Sequence, residues 1–129
     1  MKRLIPKDKF DFTPFTTLME INEDEVQLIL LELLSWIADM NWPIADAMLG
    51  VLARFPDSMV PLIKELLKPT ETDEDWKWSI IVGLMPILPP KSQILLRDSI
   101  KRIIDSPSDG EVYGGVWEVA KNYMQKHDR

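Results

Sequence analysis

The chain contains no cysteine. Disulfides, cysteine-bound zinc, iron–sulfur clusters and thiol nucleophiles are excluded with it. Histidine occurs once, as His127 in the closing run Gln-Lys-His-Asp-Arg. A terminal tail is a poor place for a metal ligand or a catalytic base. Ser79, Ser92 and Ser99 therefore have no evident group to activate them as nucleophiles. Glycine is scarce, at 5 of 129 residues, and neither a P-loop nor a G-x-G-x-x-G fingerprint occurs. No apolar run approaches the roughly 20 residues that cross a bilayer. The N-terminal residues begin basic, but Lys7, Asp8 and Lys9 interrupt any apolar stretch, so they do not read as a signal peptide. These absences favour a cytoplasmic protein with no cofactor, no metal and no membrane contact.

What is present is the composition of an ordinary folded domain. Apolar residues make up 46% and charged residues 28%, which suits one domain spanning 1–129 with a real core. The net charge of −6 is unevenly spread. Residues 11–75 hold 14 acidic groups against Arg54, Lys64 and Lys68, a balance of −11, while the remainder carries 12 bases and 7 acids, a balance of +5. An acidic body repels phosphate and disfavours nucleic acid. A basic protein is its natural complement. The plainer alternative is a set of solvated helix faces.

Ten prolines cut the sequence into helix-length pieces. After an irregular N-terminal arm, a short helix is expected over 14–20, with Thr13 as cap and Pro14 in its first turn. The clearest helix starts after Asn22, with Glu25 at capping-box spacing and Glu23 and Asp24 matching the positive helix end. Those first-turn acids are explained by capping and need no acid–base role. Val26, Ile29, Leu30, Leu33 and Ile37 form its inner stripe, and Leu28, Leu31 and Leu34 predict a second apolar face. Asn41 then reads as a cap, with Pro43 in the first turn of a helix carrying Ile44, Met48, Leu52 and Phe55. A third helix is expected to about Lys68, capped by Asp57 or Ser58. A fourth runs from about Glu74 to Leu84, and a fifth from about Lys91 to Ile104. Ser106–Gly110 reads as a turn before the last helix, which carries Val112, Val116, Val119, Ala120 and Tyr123.

The spacing repeats. Glu32-Leu33-Leu34 returns as Glu65-Leu66-Leu67, Gly50 as Gly83 and Pro56 as Pro89, each 33 residues on. A period near 33 with two helices per unit is the pattern of a HEAT-like α-solenoid. The fold expected is all-α: about three antiparallel helical hairpins with an N-terminal arm.

The run from Ile5 to Asp11, "IPKDKFD", the corner Met40-Asn41-Trp42-Pro43 and the later Trp76-Lys77-Trp78 occur together in this chain. In these stretches it resembles a family of small bacterial all-helical domains of unknown function. The resemblance covers essentially the whole chain. It implies a HEAT-like helical fold and a bacterial source, and it implies no activity.

Candidate binding residues come from the tryptophans and the acidic loop. The cap chemistry at the corner explains Asn41 and Pro43 but not Trp42, which is either a wedge between repeats or a contact residue. Trp76 and Trp78 lie about 200° apart on a helix, so they cannot share a face. One is expected to pack inward and the other to reach a groove, where tryptophan is a frequent interface anchor. Trp36 and Trp117 read as core. Glu71, Asp73, Glu74 and Asp75 alternate partly as calcium ligands do, but no glycine and no later bidentate glutamate completes a loop. A cap at Thr70 or Thr72 with acids in the first turn explains the cluster without metal. Gly114-Gly115 reads as a point of close helix approach.

The leading functional expectation is a non-catalytic protein-interaction module, in its specific form an antitoxin- or immunity-like binder of a basic partner. The candidate contact residues are Trp42, Trp76, Trp78, Glu71, Asp73, Glu74 and Asp75. An enzyme acting on a small molecule or nucleobase would need a pocket lined by Lys77, Lys91, Arg97 and Lys101. A homo-oligomeric role would bring basic ends of one copy to the acidic body of another.

Overall fold

The computed structural model describes residues 4–127, and every regular element among them is helical. In chain order they are α1 (Phe15–Leu18), α2 (Glu23–Val26), α3 (Leu30–Ser35), α4 (Ala45–Leu52), α5 (Pro56–Leu66), α6 (Glu74–Ser79), α7 (Pro90–Leu95), α8 (Arg97–Asp105), α9 (Asp109–Tyr113) and α10 (Val116–His127). One 3₁₀ turn, Gln27–Ile29, joins α2 to α3. A π turn, Ile80–Leu84, and a 3₁₀ turn, Met85–Ile87, extend α6. Pro86 sits in that last turn and contributes no N–H, so the α pattern cannot continue through it.

The elements touch in two files. In one, α4 meets the π turn and the π turn meets α10; in the other, α5 meets α7 and α7 meets α8. The contact of α8 with α10 joins the files, and α3 packs on α4 at the end of the first. Between them lies one aliphatic core that includes Leu33, Met48, Leu52, Ile63, Ile81 and Ile100. The N-terminal arm belongs to this body. Leu4 and Ile5 pack on the core, and Asp8 and Asp11 fold the "IPKDKFD" run into turns by accepting N–H bonds from Phe10 and Lys7, each at 2.9 Å. Lys9 O in turn accepts from Ile44 N at 3.2 Å, which fastens the arm beside α4.

Several local expectations change. Asn22 caps α2, its Oδ1 accepting from Glu25 N at 2.9 Å, but the helix does not run on unbroken. The second apolar face expected on it does not form. Of Leu28, Leu31 and Leu34, only Leu34 is buried; Leu28 is 94% and Leu31 52% exposed. The intervening 3₁₀ turn winds three residues per revolution, which keeps Val26 and Leu30 inward and leaves Leu28 outside. At the corner, Asn41 is not a cap. Asp39 Oδ1 accepts from Asn41 N at 2.8 Å, forming a side-chain turn, and α4 begins only at Ala45. Thr13 does not cap α1, which Pro14 precedes directly. The third helix starts at Pro56 itself, so Asp57 and Ser58 do not cap it either. Ser58 instead donates to Glu23 Oε2 at 2.6 Å, tying α5 to α2.

In the last third, the two long helices expected are each divided. α7 gives way to α8 at Leu96, and α9 to α10 at Gly114-Gly115. Gly115 has φ of +81°, a left-handed conformation that costs other residues about 1–2 kcal/mol. At Gly114 a methyl group would come within 2.7 Å of Glu74 Cβ, so this glycine lets α9 lie directly against α6.

Candidate functional site

The site is built outward from α6. Asp73, rather than Thr70 or Thr72, caps this helix by accepting from Trp76 N at 3.0 Å. Glu71 Oε2 accepts from Thr72 N at 2.8 Å and steadies the loop before it. Glu74 turns inward, 3.4 Å from Lys77 Nζ. Three of the four acidic candidates thus have structural engagements, and Asp75 is the one that faces a surface recess. Among the described residues, no group of three or more histidine, aspartate or glutamate side chains has the geometry to hold a metal ion.

The two tryptophans of α6 diverge as their spacing requires. The Trp76 ring packs against the core, and its Nε1 donates to Leu34 O at 3.1 Å. Trp78 points the other way and is 36% exposed. Trp42 is half-buried and meets the Trp36 ring edge-on, with centroids 5.7 Å apart. It is not brought to Trp78. What the corner does bring there is its first half. Asp39, Met40 and Asn41 join Asp75, Trp78 and Ser79 around a notch of about 270 Å³.

On the other side of Trp78 lies a larger open groove of about 540 Å³ between the π turn and α10, with Val82, Val119 and Tyr123 on its walls and Lys126 and His127 at its rim. It continues past Tyr123 and His127 into a hollow of about 300 Å³ bordered by Ile94 and Arg97. His127, expected in a loose tail, closes α10 and stacks on Tyr123 with centroids 4.4 Å apart. Tyr123 donates its hydroxyl to Gln93 Oε1 at 2.5 Å. Burial pushes its pKa up to about 12, against a smaller opposing pull from Arg97.

The cluster that sequence reasoning missed is internal. Lys77 and Glu111 both have 0% side-chain exposure, and their Nζ and Oε2 are 2.9 Å apart. Arg102 donates to Glu111 Oε1 at 2.5 Å and Oε2 at 2.7 Å, and also to Leu67 O at 2.5 Å. Ser108 N donates to Glu111 Oε1 at 2.8 Å, and the Ser108 hydroxyl accepts from Glu111 N, closing a capping box. One carboxylate therefore joins α6, α8 and α9, and Arg102 extends the tie to the end of α5. Burial alone would raise its pKa. The bonds from Arg102, Ser108 N and Lys77 together outweigh that and hold it down to about 2. The signal was available, since Ser108-x-x-Glu111 is a capping-box sequence. The buried lysine had no such mark, and its sequence neighbours gave it a place in a basic pocket. That pocket does not exist with Lys77 in it, because Lys77 exposes no surface to a ligand.

A perturbed buried carboxylate can indicate catalysis. Here all four acceptor sites of Glu111 are filled by protein donors, so the group has no free lone pair to take a substrate proton. The fold and surface define an all-helical domain with a buried charge cluster and with two recesses that share one tryptophan, Trp78. No helix among the described residues is long and apolar enough to cross a membrane. The chain belongs to the family described as Domain of unknown function (DUF5071), whose model matches residues 4–124. No curated protein matches it.

Proposed function

We propose that this chain is a non-catalytic protein-interaction module in which Trp78 anchors a basic partner. The observation that carries the reading is the position of Trp78, a partly exposed aromatic standing between two concavities, with Asp39 and Asp75 on one side. A lysine or arginine entering the notch would meet two carboxylates and the indole face, a combination that favours cations. Tryptophans so placed are common binding anchors. The charge partition supports the same polarity, since residues 11–75 carry the excess of acid. An immunity- or antitoxin-like pairing with a basic protein is the specific form we favour, acting in the cytoplasm. Nucleic acid is not expected as its partner. We read the helices as about three hairpins of a HEAT-like solenoid. The 33-residue sequence period and the two files of touching helices support that reading. Trp42 and Trp76 serve packing in this view, and Glu71, Asp73 and Glu74 hold the start of α6.

The test is a pull-down from native lysate at low and moderate salt, with Asp75→Lys and Trp78→Ala alongside the wild type. A single stoichiometric partner is expected, weakened by salt and lost in both variants. A partner retained by both variants would place the interface elsewhere, and a salt-insensitive complex would defeat the electrostatic part of the reading.

A further inference from the structure

Asp75, Trp78, Val82 and Pro86 follow one another at intervals of three, four and four residues along α6, the π turn and the 3₁₀ turn after it, so they fall on one side of that run. All four are exposed. This side is chemically graded: it begins with a carboxylate, passes an indole and ends on two aliphatic side chains. The recesses follow the same gradient. At the Asp75 end lies the notch, where Asp39 adds a second carboxylate, held in place by its bond from Asn41 N. At the Val82 end lies the groove, walled by Ile81, Val82, Pro86 and Val119. Trp78 lines both. Tryptophan suits that boundary, because its ring face attracts a cation and its body packs against aliphatic groups.

A strip of this kind matches one cation and one apolar group at a fixed separation. From Asp75 to Val82 is seven helical steps, about 10 Å at 1.5 Å each. An extended chain covers that distance in about three residues, at about 3.3 Å each.

We propose that one extended peptide segment of a partner occupies both recesses, with an arginine in the notch and a large aliphatic residue about three positions away in the groove. The proposal rests on the reading of Trp78 as the anchor for a basic partner, and it specifies what that partner presents. Arginine fits the notch better than lysine, since its planar guanidinium stacks on an indole while pairing with a carboxylate. The two contacts reinforce each other, because once one residue is seated the other binds from a high local concentration.

The test titrates the purified chain with short fluorescein-labelled peptides on a glycine–serine background, followed by anisotropy. One peptide carries arginine and leucine three positions apart, one arginine alone, one leucine alone, and one glutamate in place of the arginine of the pair. The paired peptide is expected to bind about tenfold or more tightly than either single-residue peptide, and to weaken with salt. Val82→Asp should reduce it to the affinity of the arginine peptide, and Asp75→Lys to that of the leucine peptide. Both positions are exposed, so circular dichroism should match the wild type. Asp75→Lys should also bind the glutamate–leucine peptide better than the wild type does, a reversal that a damaged fold would not produce. If the arginine peptide binds as well as the pair and Val82→Asp changes nothing, the segment does not reach the groove, and this proposal falls while the reading of the notch stands. If the leucine peptide binds as well as the pair and Asp75→Lys changes nothing, the basic anchor falls with it. A paired peptide that does not bind at millimolar concentration in low salt also overturns the proposal.

Discussion

Arg54 and Arg102 reach out from the two halves of the molecule to cap loose backbone, and they do so in different company. Arg54 donates to Leu18 O at 2.6 Å and to Ile21 O at 2.9 Å, closing the end of α1 over the chain that follows α4. Its partners are neutral carbonyls. Arg102 likewise donates to Leu67 O, but it also holds both oxygens of Glu111, which in turn neutralises the buried Lys77. The first tie can be broken with little further consequence. The second cannot, because removing Glu111 takes from Lys77, which has no exposed surface, its nearest opposite charge. The N-terminal half is therefore held by aliphatic packing and local bonds, and the C-terminal half by those together with a charge network.

The largest expected effect tests that contrast directly. Glu111→Gln should destabilise the protein by about 3–5 kcal/mol, as expected when one partner of a buried ion pair is removed. Arg54→Ala should cost about 1.5–3 kcal/mol, the range for hydrogen bonds from a charged donor. Urea unfolding of both variants measures the difference, and equal costs would dissolve the distinction between the halves. Acid adds a second reading of the same residue. The folded-state pKa of Glu111 lies below its ordinary 4.5, at about 2. Its contribution is thus complete above pH 4.5 and is lost as the pH falls from there toward 2. The loss amounts to about 3 kcal/mol. In Glu111→Gln, that portion of the acid dependence should vanish.

The next effect concerns how closely the charged half is packed. Gly114→Ala places a methyl 2.7 Å from Glu74 Cβ, at the contact of α9 with α6. Overpacking of this kind costs about 1–3 kcal/mol. Because the displaced residue is Glu74, which lies 3.4 Å from Lys77 Nζ, the strain also reaches the charge network. A thermal melt should show a lowered midpoint. An unchanged midpoint would mean that α9 can shift away from α6 without loss, and that the glycine is not what sets their separation.

How far the sequence anticipated this depends on whether a residue acts through its neighbours in the chain or through distant ones. All-helical structure, the Asn22 cap, the start of α6 at Glu74 and the divergence of Trp76 from Trp78 follow from spacings of two to four residues. Those are the distances over which helix geometry is fixed. The family resemblance, too, was visible in contiguous runs. The misplacements share a cause. Asn41 has the right side chain for a cap, but Asp39 two residues earlier folds the corner into a turn and α4 starts only at Ala45, too far on for the Asn41 side chain to cap it. Leu28 and Leu31 fit a helical stripe, yet one 3₁₀ turn rotates them outward. Lys77 and Glu111 are 34 residues apart, and no local pattern links them. The Asp39, Asp75 and Trp78 notch is a tertiary product of the same kind. Its parts are present in the sequence, but their meeting depends on how α6 lies against the corner.

The smallest effect separates charge from geometry at the helix starts of the two halves. Asn22 and Asp73 make the same bond, each accepting from the N–H three residues on, at 2.9 and 3.0 Å. Replacing either by alanine should cost about 1 kcal/mol, the usual value of a side-chain cap. Asn22 is neutral, so its share is hydrogen bonding alone. Asp73 also places a negative charge at the positive end of α6, a further contribution of about 0.3–1 kcal/mol that salt screens. In low salt Asp73→Ala should therefore cost more than Asn22→Ala. In high salt the two costs should converge, with the Asn22 value unmoved. If instead the Asp73 cost holds constant with salt, its carboxylate serves as a hydrogen-bond acceptor only, and the charge dependence of the C-terminal half lies wholly in the buried cluster around Glu111.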